Sequence, residues 1–398
     1  MTVLGNYISI KHGFAFKGEH IVSVDNGVVL VTPGNFAVGG GFQEKKCKYY
    51  DGEYNDEYVL HADDLIVTMT DLSKQGDTLG YGALVPYKKN RVYLHNQRIG
   101  LVKIISPDID KGFLYWFLRT PFYHSTVVST STGSTVKHTS PARIYDVPIM
   151  LPSIQEQRRI SSTLFALDRK IELNNKINEN LEQQAQAFYQ ELFIDNANSE
   201  WLQGTISDLG TVVGGSTPSK AKTEYYTENG IAWITPKDLS INKAKFISHG
   251  ENDITELGLK NSSASIMPKG TVLFSSRAPI GYIAIAAGDV TTNQGFKSVI
   301  PKPEIGTAFV YYFLKLNLPI IEGMASGSTF KEVSGSTMKN VPAFIPDSET
   351  IIRFNDFCKP IFAQQKILEE QNQSLAGLRD TLLPKLMSGE IDVSDLRS

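Results

Sequence analysis

Two near-copies of one phrase hold the residues best suited to binding chemistry: TGSTVKH at Thr132 to His138 and SGSTFKE at Ser326 to Glu332. In each, hydroxyls (Ser134 and Thr135, Ser328 and Thr329) stand beside a glycine and a lysine, Lys137 or Lys331. Hydroxyls, free backbone N–H groups and a cation together suit phosphate oxygens. A Ser/Thr-rich loop ahead of a closing strand has the same composition, so both uses stay open. Edge-on recognition of a base needs Arg, Asn, Gln or Lys, and Arg277, Gln97 and Gln294 are the candidates. The two glutamines lie in HNQR (His95 to Arg98) and TNQG (Thr292 to Gly295), a recurrence that fits a shared frame as well as readout. Lys74, Gln75 and Thr78 fall in TDLSKQGDTLGYG (Thr70 to Gly82), longer than its counterpart SSRAPIGY (Ser275 to Tyr282). Loops that differ on a common scaffold are where recognition concentrates. This pairing of segments sets Asp71 opposite Arg277.

Catalytic chemistry finds little footing. No GxxxxGK[ST] loop is present, since GGSTPSK (Gly214 to Lys220) lacks the required glycine before its lysine. VGGGF (Val38 to Phe42) lacks the spacing of a dinucleotide loop and reads as a turn. PDIDK (Pro107 to Lys111) offers two carboxylates without the wider spacing of a metal-dependent nuclease and reads as a surface turn. The seven histidines form no HExxH and no cluster with cysteine, so no metal site is expected. No catalytic residue is assigned.

The phrases belong to a longer internal repeat, the feature that decides architecture first. LVTPGNF (Leu30 to Phe36) answers WITPKDL (Trp233 to Leu239), and DLIVTMTD (Asp64 to Asp71) answers GTVLFSSR (Gly270 to Arg277). LGYGALV (Leu79 to Val85) then answers IGYIAIA (Ile280 to Ala286), and FLYWFL (Phe113 to Leu118) answers FVYYFL (Phe309 to Leu314). From there the shift is constant: Gly133 and Gly327, Lys137 and Lys331, Pro148 and Pro342 each differ by 194. Short segments rich in Val, Ile, Thr and Tyr between glycines predict a mixed α+β unit, present twice.

Each unit hands over to a long helix. Ile154 to Phe193 contains neither Gly nor Pro, and Ser153 with Glu156 predicts a capping box at its start. Ile160, Leu164, Leu167, Ile171, Asn174, Asn178, Leu181, Ala185, Phe188 and Leu192 recur at steps of four and three. Phe354, Cys358, Ile361, Gln365, Leu368, Asn372, Leu375, Arg379, Leu382 and Leu386 repeat the stripe 194 positions on. This is coiled-coil spacing, and the two helices are expected to pair. The polar members either fix register inside the seam or face solvent. A helix of about 38 residues spans on the order of 55 Å, enough to hold two globular units apart.

With 398 residues, two to three domains are expected. The two cysteines, Cys47 and Cys358, cannot form a disulfide framework and read as buried thiols of a reducing, cytoplasmic compartment. No stretch reaches the roughly 20 apolar residues of a membrane helix. A net charge of −3 gives no global basic field, so a polyanion would have to meet local patches.

LPSIQEQRRI (Leu151 to Ile160), LLPKLMSGEI (Leu382 to Ile391) and GTISDLGTVVGGSTPSK (Gly204 to Lys220) resemble the frame of the DNA-specificity subunits of type I restriction-modification enzymes, and the likeness runs over essentially the whole chain. ISIKHGFAFKGE (Ile8 to Glu19) opens the first unit less typically. The resemblance implies two tandem mixed α/β target recognition domains, residues 1–152 and 196–347. Each is followed by a long conserved helix, 153–195 and, together with a tail, 348–398, and the two helices form an antiparallel coiled coil. Each domain would read one half of a bipartite asymmetric site on double-stranded DNA. The helices would set the spacer and dock two methyltransferase subunits, with motor-nuclease subunits joining them. S-adenosylmethionine, ATP and Mg would then sit on those partners and no cofactor on this chain. The alternative is a stand-alone coiled-coil assembly protein that reads no DNA.

Overall fold

The structure, a computed structural model, describes residues 2–45, 47–327 and 331–392; Ser328 and Thr329 lie outside them. The chain divides into two compact units. One comprises the residues up to Lys170 together with those from Ser374 onward, and the other comprises Ile171–Gln373.

The first unit is built on two sheets. Runs of buried β-branched residues form an antiparallel sheet in the order Ile8–His12, Ile99–Ile104, Leu65–Thr68, Gly82–Leu84. In the second sheet Val28–Val31 and Val92–His95 run parallel, which needs the long crossover between them. Thr2–Val3 pairs with Pro148–Ile149, which lies just ahead of the central helix.

The second unit repeats this plan. Its first sheet runs Gly210–Gly214, Lys297–Pro301, Val272–Ser276, Ile280–Ala286, with Phe246–Ile247 added at the edge. Ile231–Ile234 lies parallel to Thr291–Thr292, and Leu202–Thr205 pairs with Pro342–Ile345. The repeated Thr-Pro phrases both start a helical turn through a reciprocal cap: Thr32 N donates to Asn35 Oδ1 at 2.9 Å, and Thr235 N to Asp238 Oδ2 at 2.7 Å.

FLYWFL and FVYYFL form helices, Lys111–Phe117 and Thr307–Leu316, whose aromatic rings are buried in the core of their own unit. Asp110 of PDIDK caps the first, accepting from Phe113 N at 3.0 Å, so this carboxylate is structural. VGGGF is a turn, as expected, but a held one. Gly39, Gly40 and Gly41 all have φ between 83° and 93°, Gly39 O accepts from Arg119 Nε at 2.9 Å, and a Cβ on Gly40 would strike the Arg119 side chain.

The long helices cover Ile154–Gln190 and Ser348–Ser388, and each contributes a segment to each unit. Ser153 and Glu156 make the expected capping box, with Ser153 N donating to Glu156 Oε2 at 2.8 Å. In the first unit Ile160 and Leu164 share a core with Leu383 and Leu386, while Leu382 packs at its margin. In the second, Leu181, Ala185, Phe188 and Leu192 meet Phe354, Cys358 and Ile361, and Leu368 is buried. Leu167, Ile171 and Leu375 are half-buried. Contacts such as Phe188 with Phe357, Gln365 with Asn178, and Asn372 with Asn174 make the two segments of this unit antiparallel.

The polar stripe positions Asn174 and Gln365 lie inside the seam, 0% and 3% exposed, rather than in solvent. The residue that directly follows each aromatic helix motif grips the central helix: Arg119 Nη1 reaches Asp168 Oδ2 at 3.2 Å, and Lys315 Nζ reaches Glu182 Oε1 at 2.5 Å. Cys358 is buried as expected. Cys47 is only half-buried, lying within weak hydrogen-bond reach of the Asn35 amide and Glu44 O, which corrects the expectation for that thiol.

Candidate nucleic-acid interface

The Gly-Ser-Thr phrases close the same loop in each unit. Thr132 and His138 exchange backbone hydrogen bonds at 3.0 and 2.8 Å, and Ser326 and Glu332 do so at 3.1 and 2.8 Å. The chain must turn tightly between them, and Gly133 and Gly327 do this with φ of 96° and 126°, a region open to glycine. A Cβ on Gly133 would lie 1.9 Å from Val136 O. Ser134 and Thr135 stand exposed at the tip, Lys137 is half-buried and Lys331 exposed. Arg143, whose guanidinium donates to Thr132 Oγ1 at 3.3 Å, tethers the first loop.

The loops are anchored to the sheet by equivalent bonds. Thr139 N donates to Met69 O at 3.0 Å and Val333 N to Ser276 O at 2.9 Å; Met69 N donates to Arg98 O at 2.9 Å and Ser276 N to Gly295 O at 2.8 Å. These bonds make Met69 the counterpart of Ser276, so Arg277 corresponds to Thr70. The sequence pairing of Asp71 with Arg277 was one position out, because similar apolar patterns slide along one another where no hydrogen bond pins them.

Asn96 and Asn293 belong to the frame. Their Oδ1 atoms accept from the N–H two residues on, Arg98 at 3.0 Å and Gly295 at 2.9 Å. The turn they form abuts a glycine in each unit: a Cβ on Gly13 would fall 2.2 Å from His95 O, and one on Gly215 1.9 Å from Asn293 O. The untypical opening ISIKHGFAFKGE therefore places Gly13 where the second unit places Gly215. Gln97 and Gln294, next along each turn, are exposed.

In the second unit these parts converge. Gln294 Oε1 accepts from Thr217 Oγ1 of GGSTPSK, and Lys297 Nζ reaches Gln294 O at 3.4 Å. Glu332 lies 3.6 Å from the Arg277 guanidinium and 3.7 Å from Lys297 Nζ. Lys297 and Thr217 were not singled out in the sequence, although Lys297 follows TNQG closely enough to share its turn.

In the first unit the longer loop folds around Asp71. Its carboxylate accepts from Ser73 N at 2.6 Å, Thr78 N at 2.5 Å and Thr78 Oγ1 at 2.6 Å. Burial opposes ionisation of Asp71, but Thr78 and Ser73 outweigh it and hold the carboxyl below its usual range. Thr78 is thus occupied internally, whereas Lys74 and Gln75 project into solvent. Gly76 brings this loop beside Lys137, with an added Cβ 3.7 Å from its Cγ. Among the described residues no group of acids, histidines and cysteines forms a metal site, and no helix is long and apolar enough to cross a membrane.

A family model described as the type I restriction modification DNA specificity domain matches the chain twice, over residues 10–183 and 198–377. The MjaIX specificity subunit of Methanocaldococcus jannaschii is 41% identical over 191 residues, covering 46% of this chain and 44% of that relative. The HindI specificity subunit of Haemophilus influenzae is 24% identical over 404 residues, covering 80% of this chain and 87% of that relative. Among solved structures, the type I restriction-modification S subunit from M. genitalium is similar in fold, with a TM-score of 0.62 at 17% identity, over 97% of this chain and 95% of that one.

Proposed function

The chain belongs to the type I restriction-modification DNA specificity family, and from that premise we propose that it is the non-catalytic DNA reader of such an enzyme. Each unit reads one half of a bipartite, asymmetric site on double-stranded DNA. The long helices set the spacer and dock two methyltransferase subunits, and motor-nuclease subunits complete the restricting assembly. S-adenosylmethionine, ATP and Mg belong to those partners.

One observation carries this reading: a single frame, with the same glycines, Asn turns and Gly-Ser-Thr loops, presents different side chains in the two units. In one, Gly76 brings the loop that bears Lys74 and Gln75 beside Lys137, and in the other Arg277, Lys297 and Gln294 gather around Glu332 and the Asn turn. Identical frames supply phosphate contacts that position, and differing side chains supply base contacts that specify. A methyltransferase cannot reach a base inside the stack, so the partner extrudes the target adenine while this subunit holds the address.

The test is genome-wide adenine methylation in a host carrying the chain with its cognate methyltransferase, against the same host without it. A new bipartite motif methylated on both strands is the expected result. No new motif from a verified complex would favour the assembly-protein alternative.

A further inference from the structure

Glu332 is an acid where a polyanion is expected to dock. It lies 3.6 Å from Arg277 and 3.7 Å from Lys297, with Glu332 38% and Arg277 39% exposed at the side chain and Lys297 at 16%. An acid at such a place repels phosphate and weakens affinity. Its counterpart in the first unit is the last residue of the other Gly-Ser-Thr phrase, His138. His138 Nδ1 stands 3.3 Å from Thr70 Oγ1, and Thr70 is the counterpart of Arg277. The same two positions therefore touch in both units, as a carboxylate with a guanidinium in one and an imidazole with a hydroxyl in the other. Backbone bonds from Thr139 to Met69 and from Val333 to Ser276 hold each pair at the same place beside its loop.

We propose that this pair is a specificity-determining device and that Glu332 is its positioning residue. Resting on the DNA-reading function above, Glu332 fixes the direction of the Arg277 guanidinium and neutralises Lys297. The two cations then serve to discriminate a base edge rather than to attract any phosphate. A planar guanidinium discriminates only when its fork is aimed, and withholding cations from non-cognate backbone is specificity by opposition as well as by contact.

The proposal is tested on the full chain assembled with its methyltransferase subunits, comparing Glu332→Gln, Arg277→Ala and the double variant. Two quantities are read: the methylated motif selected from a randomised duplex library, and the salt dependence of binding to a duplex lacking the site. Glu332→Gln should relax one position of one half-site while leaving the other half-site intact. It should also strengthen binding to the site-free duplex and steepen the log–log salt slope by about 1 to 2, because two cations become available to phosphates. The double variant should select the same motif as Arg277→Ala alone. An unchanged motif in Glu332→Gln overturns the proposal, and so does tighter site-free binding without any change of motif, which would make Glu332 a bystander to general charge. If the unaltered complex itself selects no bipartite motif, the DNA-reading function falls, a different failure from either of these.

Discussion

Asn174 Nδ2 donates to Asn372 Oδ1 at 2.9 Å across the paired helices, with Asn174 wholly buried. Asn372 in turn donates to Asn175 Oδ1 at 2.8 Å. A polar pair inside a largely apolar seam lowers stability relative to leucine but penalises any shift of register. Asn372→Ala should therefore cost about 1 to 3 kcal/mol, since it leaves the buried Asn174 amide only its longer bond to Gln371 Oε1 at 3.4 Å. Replacing both asparagines with leucine should be near neutral or stabilising. Urea unfolding of the two variants checks this, and equal losses in the single and double variants would refute it.

Glu182 anchors the second unit to its helix segment. Burial opposes its ionisation, but Lys245 and Lys315 outweigh burial and hold the carboxyl down to about 2. Lys245 is itself pushed down by burial, against the pull of Glu182, and hydrogen-bonds Gln365 at 2.7 Å. Both directions are consistent with a charged pair at neutral pH. Because the folded carboxyl titrates below its ordinary 4.5, its stabilising contribution is present above about pH 4.5 and is lost as pH falls toward 2. Glu182→Gln should cost about 3 to 5 kcal/mol at pH 7 by leaving Lys245 buried and unpaired. The difference from the parent should shrink at low pH, which stability measured across pH 2 to 7 would reveal.

Gly13 and Gly215 meet backbone carbonyls at distances no Cβ tolerates. Alanine at either position should force the Asn turn aside, costing about 1 to 3 kcal/mol. It should also degrade recognition in the half-site read by that unit alone. Methylation motifs from the two variants would be compared, and an equal effect on both half-sites would count against unit-by-unit reading.

In the first unit Lys74 is exposed on the loop that Gly76 brings beside the half-buried Lys137. Alanine at either lysine should weaken DNA binding uniformly across sequences and reduce the salt slope by about 1. Arg277→Ala should instead cost about 1 to 3 kcal/mol against the cognate site and relax only its own half. Fluorescence titrations at several salt concentrations separate these behaviours.

Exchange of the segment from Pro33 to Pro152 with that of a homologue should change one half-site and keep the other and the spacer. An unaltered motif would exclude modular reading.

Much of the architecture was legible in the sequence. The constant shift of 194 positions announced the repeat, the absence of helix breakers with four-three spacing announced the central helix, and the same stripe 194 positions on announced the second one despite Pro360, Gly377 and Pro384. Local rules settled the Ser153 cap and the turn at VGGGF. The loop phrase was recognised as a unit, although its second copy reaches the described residues only at its ends, with Ser328 and Thr329 outside them.

Periodicity and propensity are properties of neighbouring residues, so the order of residues alone determined the twofold plan, the helices and the candidate loops. Contacts between residues far apart in the chain carry no such periodic signal. Only the tertiary structure could set Thr70 rather than Asp71 opposite Arg277, since backbone hydrogen bonds fix register where apolar patterns slide. Only it could turn Thr78 inward to Asp71, bring Glu182 to Lys245, and seat Glu332 between two cations. Each of those pairings depends on side chains meeting after the sheets have closed.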